Sequence, residues 1–188
     1  MHLLTFRIDE PLAGHVLPKM TEETSPEEAA RRYRAITLTT LRQMKGLANT
    51  RLRLLVTPED GEEAVRFWLL PKLADRWQRD GAIFRTEGWE IDFGNAGGEF
   101  DFQSEGAILC PNLSARWVHA ALLGMNRTVS HVTGMTVEGE IYFKAGLPHL
   151  IGDRFLPPLP IIRTDADWQA ALDSPLGAAM WKTYEAEI

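Results

Sequence analysis

Asp92, Glu99, Asp101 and Glu138 are carboxylates in glycine-rich or polar stretches. There they could offer the oxygen ligands that a hard cation such as Mg²⁺ requires. Loop carboxylates facing water are the plainer reading of the same residues. Among them runs Gly94-Asn95-Ala96-Gly97-Gly98, whose backbone N–H groups could cradle a phosphate. The run lacks the G-x-x-x-x-G-K-[ST] pattern and has no obvious helix behind it, so a turn is the better reading. Cys110 as a nucleophile would need a base and an electropositive setting, whereas Ile108-Leu109-Cys110-Pro111 describes an apolar strand end. His15, His119, His131 and His149 are scattered, with no H-x-x-x-H pair to hold a metal. Trp68, Trp77, Trp89, Trp117, Trp168 and Trp181 could stack a sugar or a base. Most fall in predicted helices, where packing is their ordinary role. Trp89, beside the glycine run, is the one that could do otherwise.

The elements that must position these residues alternate between strand and helix. Residues 3–8 form an apolar strand that opens into a loop with Pro11, Gly14 and Pro18. Ser25-Pro26-Glu27-Glu28 starts a helix, with Ser25 as cap, Glu28 able to reach back, apolar positions from Ala30 to Met44, and Gly46 as the terminating residue. Leu52, Leu54 and Val56 alternate with Arg51 and Arg53, which predicts a strand ending at the turn 57–61. A helix is predicted over 62–77, kinked or split by Pro71. Strands follow at 82–85 and 107–110. Asn112 or Ser114 then caps a helix reaching Met125, and 128–132 and 137–143 are β-rich. Pro157, Pro158 and Pro160 mark an extended crossing, Thr164-Asp165-Ala166-Asp167 a capping box, and Ser174-Pro175 a further helix start.

This alternation over 188 residues gives one domain, 1–188, predicted as a three-layer α/β/α sandwich around a mainly parallel sheet. Ligands are then expected at the C-terminal strand ends. A net charge of −6 leaves no cationic excess to attract nucleic acid. A single cysteine cannot form an internal disulfide, no segment approaches the length of a membrane span, and no leader pattern opens the chain. The expected location is the cytoplasm.

The order of several short motifs carries a family likeness. Pro11-x-x-Gly14-x-Val16, Ala29-Ala30-x-x-Tyr33-Arg34-Ala35 and Val56-Thr57-Pro58 come first. Cys110-Pro111-Asn112-Leu113, Glu138-Gly139-x-x-Tyr142 and Leu156-Pro157-Pro158-Leu159 follow, with Thr164-x-x-Asp167-Trp168 last. Together they resemble the small bacterial glycosyltransferase-A-type proteins of a domain family of unknown function, related to phospholactate guanylyltransferase. The resemblance implies a nucleotide-diphosphosugar transferase-like fold, here truncated. It places Gly14 and Lys19 in the nucleotide-binding loop, where Asp9 and Leu17 stand in place of the family's cations. It places Leu109, and Ile161 with Arg163, where the family carries metal-binding aspartates. Glu138 stands where an aspartate-glycine-glycine begins in the family. The stretch between Phe100 and Ala107 is too short for the expected helix, and the stretch between Tyr142 and Leu156 is also shortened.

Two functions follow from the resemblance. The first is a degenerate, non-catalytic protein serving as a binding or assembly module, without metal or cofactor, for a nucleotide sugar, a small apolar ligand, or a second copy in a homodimer. The second is a divergent nucleotide-sugar-dependent glycosyltransferase or nucleotidyltransferase, with Lys19 on phosphate, Glu138 or Asp92 as metal ligand or base, and Mg²⁺ or Mn²⁺ as its ion.

Overall fold

Alternation within the first strand sets the architecture. In β1 (His2–Asp9), His2, Leu4, Phe6 and Ile8 are buried, whereas Arg7 and Asp9 are exposed and Thr5 is half-buried. The structure is a computed structural model and describes residues 1–125, 129–146 and 153–187. Strands β2 (Thr50–Thr57) and β6 (Phe102–Gly106) flank β1 in parallel. Their register continues the two faces: Leu4 lies beside Leu52 and Ser104, and Phe6 beside Leu54 and Gly106. On the opposite face Thr5 lies beside Arg53 and Glu105.

The remaining strands are β3 (Gln78–Asp80), β4 (Ile83–Thr86), β5 (Trp89–Asp92), β7 (His131–Met135), β8 (Ile141–Gly146) and β9 (Asp153–Leu156). All join one mixed sheet in the order β3-β4-β5-β2-β1-β6-β8-β7-β9. The centre, β5-β2-β1-β6, is parallel. The flanks are built by antiparallel pairings of β3 with β4, β4 with β5, β6 with β8 and β7 with β8. This is the mixed α/β fold expected from the sequence, but among the described residues the second helical layer of the predicted α/β/α sandwich is replaced by the crossing segment 93–101.

Helix α2 (Pro26–Arg42) lays Leu38 and Leu41 on the Leu4–Phe6–Ile8 face, α3 (Glu62–Leu73) adds Val65 and Leu69, and α4 (Ala115–Gly124) adds Val118 and Ala121. A second apolar cluster contains no strand residue. It packs the outer side of α2, through Ala29, Tyr33 and Ile36, against α1 (Pro18–Glu23), α5 (Asp165–Leu172) and α6 (Gly177–Glu185). Among the described residues the helices therefore form two tiers on one face of the sheet. The opposite face carries Thr5, Arg7, Gln103, Glu105 and Lys144 and is crossed by residues 93–101. No helix of the described residues is long and apolar enough to cross a membrane.

Local chemistry explains the element ends. The Ser25 hydroxyl accepts from the Glu28 N–H at 3.1 Å, as expected, but the Glu28 carboxylate turns to Arg32 and Tyr184 instead of reaching back. Thr164 and Asp167 form a reciprocal capping box. Pro71 is accommodated inside α3, which ends at Leu73, short of the predicted Trp77. The Trp77 indole N–H donates to the Leu70 carbonyl at 3.0 Å, taking up an acceptor at the helix end. Residues 107–110 are a turn and not the expected strand, closed by Cys110 N–H to Ala107 O at 3.1 Å. The Thr40 hydroxyl holds this turn under α2 by donating to Ile108 O at 2.7 Å. The strand of this region is β6. Both β5 and β6 are short, and β6 is polar on one side, so neither stood out as an apolar run. In β8 an irregular register opposite Gly134 and Met135 leaves both Tyr142 and Phe143 fully buried. Residue 128 of the first predicted β segment lies outside the described residues.

Two expectations follow. Phe6→Ala should lower unfolding free energy by about 3–5 kcal/mol. Arg7→Ala, one residue along but on the open face, should change it by no more than about 0.5 kcal/mol. Urea titration of both variants checks this. His2 is buried against Ser104, its Nε2 2.7 Å from the hydroxyl, and burial pushes its pKa down to about 4, with His119 and the N-terminal ammonium adding to the effect. The folded value lies below the unfolded one, so this contribution is complete above pH 6.5 and is lost as pH falls from 6.5 towards 4. The loss should reach about 3 kcal/mol, and His2→Gln should remove that part of the pH dependence in urea titrations.

Candidate functional site

The parallel strands β1, β2, β5 and β6 deliver their C-terminal ends to one edge of the sheet, where open α/β sheets bind ligands. There β2 passes into Pro58 and the turn Glu59–Gly61, and β5 passes into Phe93, Gly94 and Asn95. Between them lies a crevice of about 600 Å³. Leu55, Val56 and Phe93 supply its apolar wall, and Arg7, Thr57, Glu59, Glu62 and Asn95 its polar groups. Gly94 has a φ of +86°, and a Cβ there would come within 3.0 Å of Leu55, so glycine is required both for the turn and for the close approach.

Asp9 ends β1 exposed, and partial burial raises its carboxyl pKa. Its N–H donates to the Tyr33 hydroxyl at 2.7 Å, tying the strand end to α2. Gly14 takes a φ of +80° in the loop that follows. Leu17, also left-handed with a φ of +47°, is buried in the helical cluster beside Val16 and Met20. The position where a cation was expected is therefore turned inward as packing. Lys19 is exposed on α1 and does not line the crevice.

The segments that carry Leu109 and Ile161 meet through the backbone. The Ile162 N–H donates to the Leu109 carbonyl at 2.9 Å, and Ile161 is 9% exposed in the sheet-facing core. Leu109 packs against both apolar clusters. A divalent cation does not fit this donor set, because neither side chain has a lone pair to give. Arg163 is exposed and its Nε lies 3.0 Å from Glu140. Glu138 stands exposed in the turn between β7 and β8.

The other carboxylates do not converge. Asp92 is fully buried with Arg53 Nε at 3.0 Å, and it accepts from the Gly94 N–H at 2.8 Å. Asp101 is ion-paired with the N-terminal ammonium, which lowers its pKa, and Glu99 is exposed. Among the described residues no group of three or more His, Cys, Asp or Glu could hold a metal ion. The 94–98 run turns carbonyls, not N–H groups, towards its cations: Arg53 donates to Ala96 O and Arg51 to Gly97 O. Burial pushes the Cys110 thiol up to about 12, which leaves it without thiolate character. Trp89 is 5% exposed within the core, and its indole N–H has no partner there. Of the crevice residues, Arg7 and Glu59 were not singled out as site residues in the sequence, whereas Asn95 belongs to the glycine run considered there.

Comparison with solved structures gives the class of fold. Over 99% of this chain and 96% of the other, the structure is similar to a candidate nucleotide-diphospho-sugar transferase from Desulfovibrio desulfuricans G20, with a TM-score of 0.70 and 14% identity. It is also similar to 4-diphosphocytidyl-2C-methyl-D-erythritol synthase from Anaerococcus prevotii DSM 20548, with a TM-score of 0.52 and 9% identity over 96% of this chain and 99% of that one. The fold is therefore nucleotide-diphosphosugar transferase-like. No protein-family model and no curated protein matches the chain.

If Asp92 holds Arg53 and Gly94 in place, Asp92→Asn should cost about 2–4 kcal/mol, because it strands the Arg53 charge against a buried partner. An unchanged urea midpoint would instead leave Asp92 free for another task.

Proposed function

We infer that this chain is a non-catalytic protein on a nucleotide-diphosphosugar transferase-like fold, serving as a binding or assembly module. The observation that carries the reading is the contact of Leu109 with the 161–162 segment. The places assigned to the metal-binding aspartates belong to an apolar wall, and Leu17, assigned to a phosphate-binding cation, is buried beside it in the helical cluster. Stabilising a departing diphosphate is mainly an electrostatic task, and it needs cations or a metal at the reacting oxygens. The family relation suggested by motif order, to proteins allied with phospholactate guanylyltransferase, is part of this proposal, as are the cytoplasmic location and the absence of a cofactor.

Titration of UTP, GTP, CTP and nucleotide sugars, each with Mg²⁺ or Mn²⁺, tests the reading by calorimetry and by melting temperature. No metal-dependent heat or shift is expected. Micromolar, metal-dependent binding of any of them would return the chain to the transferases, with Asp92, Glu138 and Lys19 as the groups to mutate first.

A further inference from the structure

The cations on the open sheet face differ in how they are satisfied. Arg51 pairs with Glu90 at 2.6 Å, Arg53 with Asp92 at 3.0 Å, and Lys144 with Glu105 at 3.0 Å. Phe100 lies over both β2 arginines, its ring centre 5.4 and 5.9 Å from their guanidinium carbons. Arg7 sits on the same face and has no ion-pair or hydrogen-bond partner among the described residues, although it lines the largest of the described crevices. Glu59, across that crevice, is likewise without a side-chain partner among the described residues. Its neighbour Glu62 is engaged by Arg66 at 3.7 Å and by Asn95 at 3.3 Å.

We propose that this crevice binds a small zwitterion of the amino-acid class, its carboxylate on Arg7 and its ammonium on Glu59. The guanidinium fork matches a carboxylate in two parallel hydrogen bonds, and the unpaired Glu59 carboxylate supplies the opposite charge for a cationic group. Thr57 and Asn95 add hydrogen-bonding groups, and Leu55 and Phe93 an apolar wall for a side chain. A phosphate dianion is disfavoured, because the unpaired Glu59 carboxylate would repel it in a crevice whose lining holds a single cation, Arg7. This inference deepens the reading of the chain as a binding module and rests on it, while naming a ligand that a nucleotide-dependent transferase would not require.

The experiment titrates each proteinogenic amino acid, and inorganic phosphate separately, into the full chain by calorimetry, with melting temperature as a second readout. At least one amino acid should bind and raise the melting temperature. Arg7→Met and Glu59→Gln should each weaken that binding about tenfold or more, while Lys19→Met leaves it unchanged. Should Arg7→Met fold poorly, Arg7→Lys keeps the charge without the fork and should still weaken binding severalfold. The proposal is overturned if no amino acid binds at millimolar concentration, if binding survives both crevice substitutions, or if phosphate binds more tightly through Arg7. Nucleotide binding with a metal would sink the module reading itself. A silent amino-acid panel without nucleotide binding would sink only the ligand assignment.

Discussion

Residues 93–101 must carry the chain from the end of β5 back across β2 and β1 to the start of β6, and much of the molecule depends on how they do it. The connections β1-α2-β2 and β2-α3-β5 step one way across the sheet with their helices on one face. The return to β6 steps the other way, and a right-handed connection must then use the opposite face. The segment is too short to hold a helix of useful length in addition to the crossing. It crosses as extended chain, held by guanidinium groups of Arg51 and Arg53 that donate to its carbonyls. Where a helix would bury a continuous apolar face, this face carries mostly polar residues, with Arg51 and Asp92 covered and Arg7 exposed.

That constraint was legible in the sequence, although the family likeness pointed elsewhere. Central parallel strands covered on both faces read as continuous apolar runs. Here the central β2 reads Arg51, Leu52, Arg53, Leu54. Such alternation belongs to a strand with one wet face. The missing helix between Phe100 and Ala107 was also visible from length alone. The helices were easier, since α2 and α5 announce themselves by the caps at Ser25 and Thr164. Strand β6 was not found, because residues 103–105 are polar and the apolar run 107–110 beside it belongs to the turn that follows. Burial in a turn packed under α2 leaves the same composition as burial in a strand.

The candidate site divides in the same way. Leu17, Leu109 and Ile161 could be singled out from sequence, because the resemblance places each where a group of known chemistry would be expected. Arg7 and Glu59 could not, because their importance lies in what they lack: partners that Arg51, Arg53 and Lys144 possess. Pairing is a property of the fold and is invisible to spacing. Asp92 shows the reverse error. A carboxylate beside a glycine run suggests ligation, but its register opposite Arg53 makes it a structural anion.

Under the proposed reading, in which Leu109 and Ile161 stand where the resemblance puts two carboxylates, a joint replacement has a physical logic. The two segments touch through the backbone hydrogen bond from Ile162 to Leu109, and both side chains pack against the sheet-facing core. If a metal were lost from such a place, two facing carboxylates would repel each other. If only one were replaced, the other would sit against apolar surface with its charge unmatched, which costs several kcal/mol or forces it to take up a proton. Replacing both with aliphatic groups removes the desolvation cost and lets each side chain bury surface against the apolar core. Loss of the ion and growth of the core are thus one coupled change. On that reading the chain gains apolar packing at the edge of the sheet where the related fold would place charge.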